Sequence, residues 1–514
     1  MKNKMIRNIG VLALGSITLS CTGQADKPNV IIIYADDIGY GDLSCYGAGT
    51  IHTPHVDAVA SAGLRFTNAH ATAATSTPSR YSLLTGEYAW RKPNTGIARG
   101  DAPMIIKEGT YTIASMFREA GYQTGVVGKW HLGLGKKGGQ DWNGYMNPGP
   151  KDIGFDYSFI MAATGDRTPC VYMENHRVVN LDPNDPIAVS YTKPFEGEPL
   201  GSTHPELLTV YKPSHGHDQA IVNGISRIGY MKGGKAALWK DEEIADRITE
   251  KAVEFIQSNK SNSFFLYLGT NDIHVPRVPH PRFAGKSGMG PRGDAILEFD
   301  WTVSEIMKTL KDNKLLNNTI VIISSDNGPV IDDGYQDQAV ELLGDHKAGG
   351  IYRGGKYSAF EAGTRVPFIV HYPGKVKKGT SDALVSQVDM FSTFATLLGI
   401  QLPENAAADS FDQLDAWMGK DRIGREYAIE QSLTKTLSIV SGKWKYIEPG
   451  NGQAYNKNTD TELGNSSQPQ LFDLSTDPGE TVNLAEQHTE LAAKFAGALD
   501  KLKTTENTRN NPIW

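Results

Sequence analysis

Cysteine is nearly absent, with Cys21, Cys45 and Cys170 the only three in 514 residues. So few, so far apart, exclude a disulfide framework, and a chain of this length buries a core that needs none. No spacing rule decides whether Cys45 and Cys170 pair. Basic excess is also missing. Lys and Arg number 51 against 58 Asp and Glu, for a net charge of −7, which excludes the broad positive field of a nucleic-acid binder. An anionic substrate must therefore be held by a few local cations. There is no internal repeat, no low-complexity tract and no membrane-length apolar run beyond the first residues.

Those first residues read as an export signal. Lys2, Lys4 and Arg7 precede a mostly apolar stretch, Ile9 to Leu19, that is too short to span a bilayer. It ends in Leu19-Ser20-Cys21, which resembles a bacterial lipoprotein cleavage site with Cys21 lipidated, although Thr18 stands where that pattern has Leu. A plain signal peptide releasing a periplasmic protein is the alternative.

Several apolar runs share one design. Asn29 to Tyr34 (NVIIIY) is a short β-branched run without alternation, the mark of a strand buried on both faces, and it ends in Asp36-Asp37. Thr319 to Ser324 ends in Asp326-Asn327-Gly328, Ser263 to Leu268 in Asp272-Ile273-His274, and Thr124 to Val127 in Gly128-Lys129-Trp130-His131. Helix-like stretches lie between them, at Thr112 to Ala120, Glu242 to Gln257 and Asp294 to Leu310. The alternation predicts an α/β fold with a mostly parallel sheet covered on both faces, whose ligands bind beyond the carboxyl ends of the strands. Asp36, Asp37, Lys129, His131, His274, Asp326 and Asn327 would meet at that rim. Any one of them alone could be a turn or cap residue. Three carboxylates and an amide form an all-oxygen set suited to calcium or magnesium rather than zinc.

The segment Ser76-Thr77-Pro78-Ser79-Arg80 reads as a helix start. Thr77 suits the N-cap, Pro78 the first helical position, and Gly86 the close. Ser76 would then sit at the positive end of a helix, with Arg80 one turn on reaching toward the same anion. Together with Leu83, Thr85 and Gly86 the segment resembles the signature of type I, formylglycine-dependent sulfatases. The resemblance continues in family order through Asp36-Asp37, Gly128 to Gly133, Asp272 to Pro276, Asp326 to Gly328, Arg353 to Lys356 with Glu361 to Pro367, and Leu471 to Leu474 with Asp477, Pro478 and Glu480. Ala362 departs from it, standing where the family has glycine.

The resemblance implies an alkaline-phosphatase-like fold, one Ca2+ held by Asp36, Asp37, Asp326 and Asn327, and oxidation of Ser76 to formylglycine. Serine rather than cysteine at position 76 implies maturation by an anaerobic radical enzyme. Taken with the export signal, this places the protein in the periplasm, or on the outer membrane as a lipoprotein, of a Gram-negative anaerobe. One hydroxyl of the hydrated aldehyde would attack sulfur and release the alcohol, and the second would expel sulfate. Arg80, Lys129 and Lys356 would surround the sulfate oxygens, His274 or Lys356 would protonate the leaving oxygen, and His131 would help restore the aldehyde. Asp326 would take a proton from the attacking hydroxyl.

Residues 1–21 are assigned to the signal, 22–408 to the catalytic domain and 409–514 to a C-terminal α+β subdomain, with Leu398 to Asp409 as the passage. Strand-like Thr436 to Val440 and Trp444 to Ile447, and helix-like Leu491 to Leu502, fill the last part. Tyr81, Trp90, Tyr172, His176, His204, His215 and His217 are candidates to line a sugar cleft. Asp166-Arg167 and the run around His215 resemble bacterial sulfatases acting on galactose or N-acetylgalactosamine, in which an Asp-Arg pair holds the axial 4-hydroxyl. That points to a 6-O-sulfated sugar of this kind in mucin or chondroitin, with the 4-O-sulfated sugar as the alternative. A phosphatase or phosphodiesterase of the same superfamily and a non-catalytic glycan-binding protein are the rival readings. No nucleic acid is expected as a partner, and the membrane only through a lipid anchor.

Overall fold

The computed structural model describes residues 27–511 and 513–514, so the predicted signal and Cys21 lie outside the described residues. Ten strands form the main sheet. In chain order they are β1 (Asn29–Ala35), β2 (Leu64–Phe66), β3 (Gln123–Lys129), β4 (Tyr157–Met161), β5 (Tyr172–Glu174), β6 (Arg177–Val178), β7 (Phe264–Gly269), β8 (Thr319–Ser325), β9 (Phe368–His371) and β10 (Gly379–Ser381). Their spatial order is β10-β2-β9-β8-β1-β7-β3-β4-β5-β6. The central run β8-β1-β7-β3-β4 is parallel throughout. Flanking it, β9 pairs antiparallel with β8 and with β2, and β5 antiparallel with β4 and with β6, while edge strand β10 pairs parallel with β2. The sheet is thus mixed at its edges, where short strands joined by loops need no helical crossover.

The β-branched run of β1 explains its central place. Val30, Ile32 and Tyr34 join one apolar core, while Ile31, Ile33 and Ala35 join another on the opposite face. Each valine or isoleucine buried this way contributes roughly 1.5–3 kcal/mol. The first face is covered by α2 (Ser76–Thr85), α3 (Ile113–Glu119) and α6 (Met390–Leu398), the second by α1 (Pro54–Ala62), α4 (Ile244–Ser258) and α5 (Gly290–Asp312). Helix α3 starts where Thr112 accepts a hydrogen bond from Ser115 N at 3.1 Å.

A second, four-stranded antiparallel sheet follows, from β11 (Ala428–Gln431), β12 (Leu437–Ser441), β13 (Trp444–Ile447) and β14 (Gln470–Asp473). The amphipathic helix α7 (Thr489–Thr504) packs Phe495, Leu499 and Leu502 on Ile439, Tyr446 and Leu471. Cys45 and Cys170 are separate free thiols. Among the described residues no helix is long and apolar enough to cross a membrane.

Candidate active site

The carboxyl ends of the parallel strands converge on one buried cluster. Asp36 and Asp37 follow β1, Asp326 and Asn327 follow β8, Lys129 ends β3, and His274 lies in the turn after β7. Helix α2 brings Ser76 to them at its first turn. Its N-cap is Thr75, not Thr77, and Gly86 closes it at a positive φ of 66°. The Thr77 hydroxyl is engaged elsewhere, donating to His131 O at 3.0 Å and accepting from Ala98 N at 3.1 Å.

Ser76 Oγ lies 3.4 Å from both Asp36 Oδ1 and Asn327 Oδ1 and accepts from Lys129 Nζ at 2.8 Å. Lys129 also donates to Asp36 Oδ1 at 2.5 Å and lies 3.5 Å from Asp326 Oδ2. Asn327 Nδ2 donates to Asp37 Oδ1 at 2.7 Å. Asp37 adopts a left-handed φ of 61°, and its backbone N–H donates to Asp326 Oδ1 at 3.3 Å. Burial opposes the Asp37 charge, but Lys356, His274 and Lys129 outweigh it and hold the carboxyl well below its ordinary range.

Arg80 does not reach the pocket. Its guanidinium is buried beneath the cluster, donating through Nε to Asp326 Oδ2 at 2.9 Å and through a terminal nitrogen to Lys129 O at 3.3 Å and Tyr267 Oη at 3.1 Å. The other terminal nitrogen lies 2.8 Å from Asp326 Oδ2. Arg80 therefore braces β8, β3 and β7 around Ser76. The same contact leaves Asp326 Oδ2 shared between Arg80 and Lys129.

Lys356 Nζ is clamped between Asp37 Oδ2 and Asp333 Oδ2, each at 2.8 Å, and these carboxylates raise it well above its ordinary value against the effect of burial. His131 Nε2 donates to Ala98 O at 2.9 Å, which leaves Nδ1 as a buried acceptor without a partner. Burial, then Lys129 and Arg167, hold this imidazole well below its ordinary pKa, so it is neutral. His274 Nδ1 donates to Val275 O at 2.7 Å, and its Nε2 lies 3.9 Å from Asp37 Oδ2.

Above Ser76 opens a pocket of about 230 Å³ bordered by His131, His274 and Lys356. Asp166, Arg167 and His215 all line it. Asp166 is held by Arg167 at 2.8 Å and by His217 Nε2 at 3.0 Å, and these neighbours keep its carboxyl well below the ordinary value despite burial. Tyr357, Asp333, Asn456 and Asn458 also line the pocket and were not foreseen as site residues. Of the expected cleft residues only His215 and His217 border this pocket. Tyr172 packs on Phe159 and Trp239, Trp90 on Tyr88, and His176 on Tyr145. Tyr81 borders a separate groove, and His204 is exposed with its ring nitrogen on Thr203.

The donor set suits a hard divalent cation. Beside Ser76, Asp36 and Asp37 place ligand atoms within 4.8 Å of each other and of His274, while Asp326 Oδ2 is paired with Arg80 and Lys129. Asp36 Oδ2 is buried with no hydrogen-bond partner, an orphaned oxygen that a cation would satisfy.

Known proteins resemble this chain along most of its length. The sulfatase family model matches residues 28–400, and a model described as N-sulphoglucosamine sulphohydrolase, C-terminal, matches residues 354–505. An N-acetylgalactosamine-6-O-sulfatase of Bacteroides thetaiotaomicron is 59% identical over 481 residues, covering 94% of each chain. Human arylsulfatase A is 30% identical over 90% of this chain and 84% of its own length. A solved structure from work on glycosaminoglycan metabolism by Bacteroides thetaiotaomicron superimposes with a TM-score of 0.92 at 59% identity, covering 93% of this chain and 99% of that one. A sulfatase from Pseudoalteromonas sp. shares the fold at a TM-score of 0.70 and 22% identity, over 96% and 92% of the two chains. A family match across most of the chain, and a relative aligned almost end to end, make this chain a member of the sulfatase family, a sulfuric ester hydrolase with an alkaline-phosphatase-like fold.

Proposed function

We propose that this enzyme removes the 6-O-sulfate from N-acetylgalactosamine or galactose in host glycans such as chondroitin or mucin. The observation that carries this reading is the Asp166–Arg167–His217 group, buried in the wall of the pocket that holds Ser76. A carboxylate fixed by two cationic or hydrogen-bonding partners presents a rigid acceptor to one sugar hydroxyl. The 59% identical N-acetylgalactosamine-6-O-sulfatase supports the same assignment. The pocket, smaller than the roughly 300–1,000 Å³ of most ligand sites, has room for about one sugar unit. That favours action at chain ends.

Asp36, Asp37, Asp326 and Asn327 would hold one Ca2+, which supplies charge neutralisation to sulfate oxygens beside Ser76. Oxidised to formylglycine and hydrated, Ser76 supplies two hydroxyls on one carbon, one to displace the sugar and one to release sulfate. Lys129, 2.8 Å from the Ser76 oxygen, stabilises negative charge there. Lys356 is held charged by two carboxylates and so suits sulfate binding, which leaves His274 Nε2 to deliver the proton to the sugar oxygen. Neutral His131, with Nδ1 free, accepts the proton when the aldehyde is restored. The basic amino-terminal segment ending in Cys21 supports export to the periplasm or outer membrane. Serine at position 76 supports maturation by a radical enzyme.

The test is mass spectrometry of the tryptic peptide Phe66 to Arg80 after anaerobic maturation, followed by sulfate release from defined sugars. Loss of two hydrogens at Ser76 and turnover of the 6-sulfate over the 4-sulfate is expected. Unmodified serine beside a matured control sulfatase, or preference for the 4-sulfate, would overturn the respective part.

A further inference from the structure

The pocket wall is not made by the catalytic sheet alone. Asn456, Asn458 and Thr459 border it, and they belong to a small hairpin in which Tyr455–Asn456 pairs antiparallel with Thr461–Glu462. This hairpin lies between β13 and β14, in the chain's last fifth. It is bolted to the segment that carries Lys356. The Glu462 carboxylate accepts from Arg353 at 2.8 and 2.6 Å, Glu462 O accepts from Ser358 Oγ at 2.6 Å, and Leu463 O accepts from Ala359 N at 2.9 Å.

The chemistry of its pocket side is distinctive. Asn456 uses Oδ1 to accept from Asn458 N at 3.1 Å, which presets the turn and leaves its amide nitrogen free. The Asn458 side chain makes no hydrogen bond among the described residues and is exposed. Lys457, between them in sequence, does not border the pocket. The hairpin therefore offers neutral amides, whereas the rest of the pocket is lined largely by ionisable groups, Lys356 and Arg167 beside Asp166 and Asp333 among them. An amide presents a donor and an acceptor together, which matches vicinal hydroxyls or an acetamido group and has no preference for an anion.

We infer that the Asn456–Thr459 turn is a carbohydrate-selectivity element that binds the uncharged hydroxyl or acetamido face of the sugar while the strand-end residues hold its sulfate. The inference rests on the carbohydrate-sulfatase reading above and adds to it the surface that recognises the sugar. It makes sugar binding depend on a hairpin that takes no part in the chemistry at sulfur.

The matured enzyme and its Asn456→Ala, Asn458→Ala and doubly substituted variants would be compared on N-acetylgalactosamine 6-sulfate, with inorganic sulfate as a competitive inhibitor. The double variant is expected to raise KM about tenfold or more, the loss of one or two good hydrogen bonds. Its kcat should stay within about threefold and the sulfate inhibition constant should be unchanged. Retention of the parent melting temperature would show that the exposed turn tolerates the changes. A KM within twofold of the parent, or a loss confined to kcat, would overturn the inference. An unsubstituted enzyme that ignores N-acetylgalactosamine 6-sulfate but cleaves another sulfated sugar would instead overturn the substrate assignment. The variants would then be read on that sugar by the same criteria.

Discussion

Lys129 sits where the charges of the site cross, touching Ser76, Asp36 and Asp326 at once. Removing it leaves buried carboxylates without their cation and the Ser76 oxygen without its donor. Lys129→Ala is expected to lower kcat by about 10²–10³, measured as sulfate release at saturating substrate. Asp333 plays a different part, bordering the pocket while it holds Lys356 Nζ and accepts from Tyr357 Oη, each at 2.8 Å. Asp333→Asn should leave folding intact and cost about tenfold in kcat/KM. Asp333 is one of the two carboxylates that raise the Lys356 ammonium, so the loss should deepen as pH rises, a dependence that a purely structural role would not produce. Arg80 marks where distance along a helix misleads. One turn from Ser76 it could face the pocket or the sheet, and the sequence does not say that Asp326 waits on the sheet side.

Among the elements, the segment from Lys356 to Arg365 is fastened to the second sheet by a wholly buried charge cluster. Glu361 lies 3.1 Å from Arg365 and 3.3 Å from Lys445 of β13, and Lys445 is 2.9 Å from Glu430 of β11. His70 Nδ1 lies 2.6 Å from the same Glu430. Lys445→Met would strand these carboxylates and is expected to cost about 3–5 kcal/mol, read as a lower urea midpoint. Glu480 adds a pH dependence. Burial pushes its carboxyl up, Lys445 opposes this, and Glu361 and Glu430 add to it, leaving it at about 8. The folded protein keeps this proton while the unfolded chain, titrating near 4.5, releases it. Stability from this group therefore falls as pH rises from about 4.5 to 8. Glu480→Gln keeps an acceptor for Glu361 N and cannot titrate. Its melting temperature should decline less across that window than the parent's.

At the scale of the whole molecule, the catalytic cluster belongs to strand ends brought together from positions as far apart as 36 and 326. A cation that binds only this assembled set must stabilise the fold, by about 2.7 kcal/mol at a hundredfold excess over its Kd. Calcium is thus expected to raise the melting temperature of the parent and to leave that of Asp36→Asn nearly unchanged. A chelator should abolish sulfate release until calcium is restored.

The fold class and the strand-end residues were legible because they depend on local pattern. An unalternating β-branched run such as Val30 to Ile33 requires burial on both faces, and polar residues directly after it have only the sheet's rim to occupy. Ser76 was legible because the helix start is local too, although its cap proved to be Thr75. The clamp of Asp333 on Lys356, the hold of His217 on Asp166 and the approach of Asn456 and Asn458 to the pocket were not legible. These residues lie in loops without periodicity, and their partners are distant in sequence. Only the closed packing of both sheets decides which loop meets which. The direction of Arg80 was settled the same way, since a buried guanidinium goes to the carboxylate that the assembled sheet presents, and no local signal names that carboxylate.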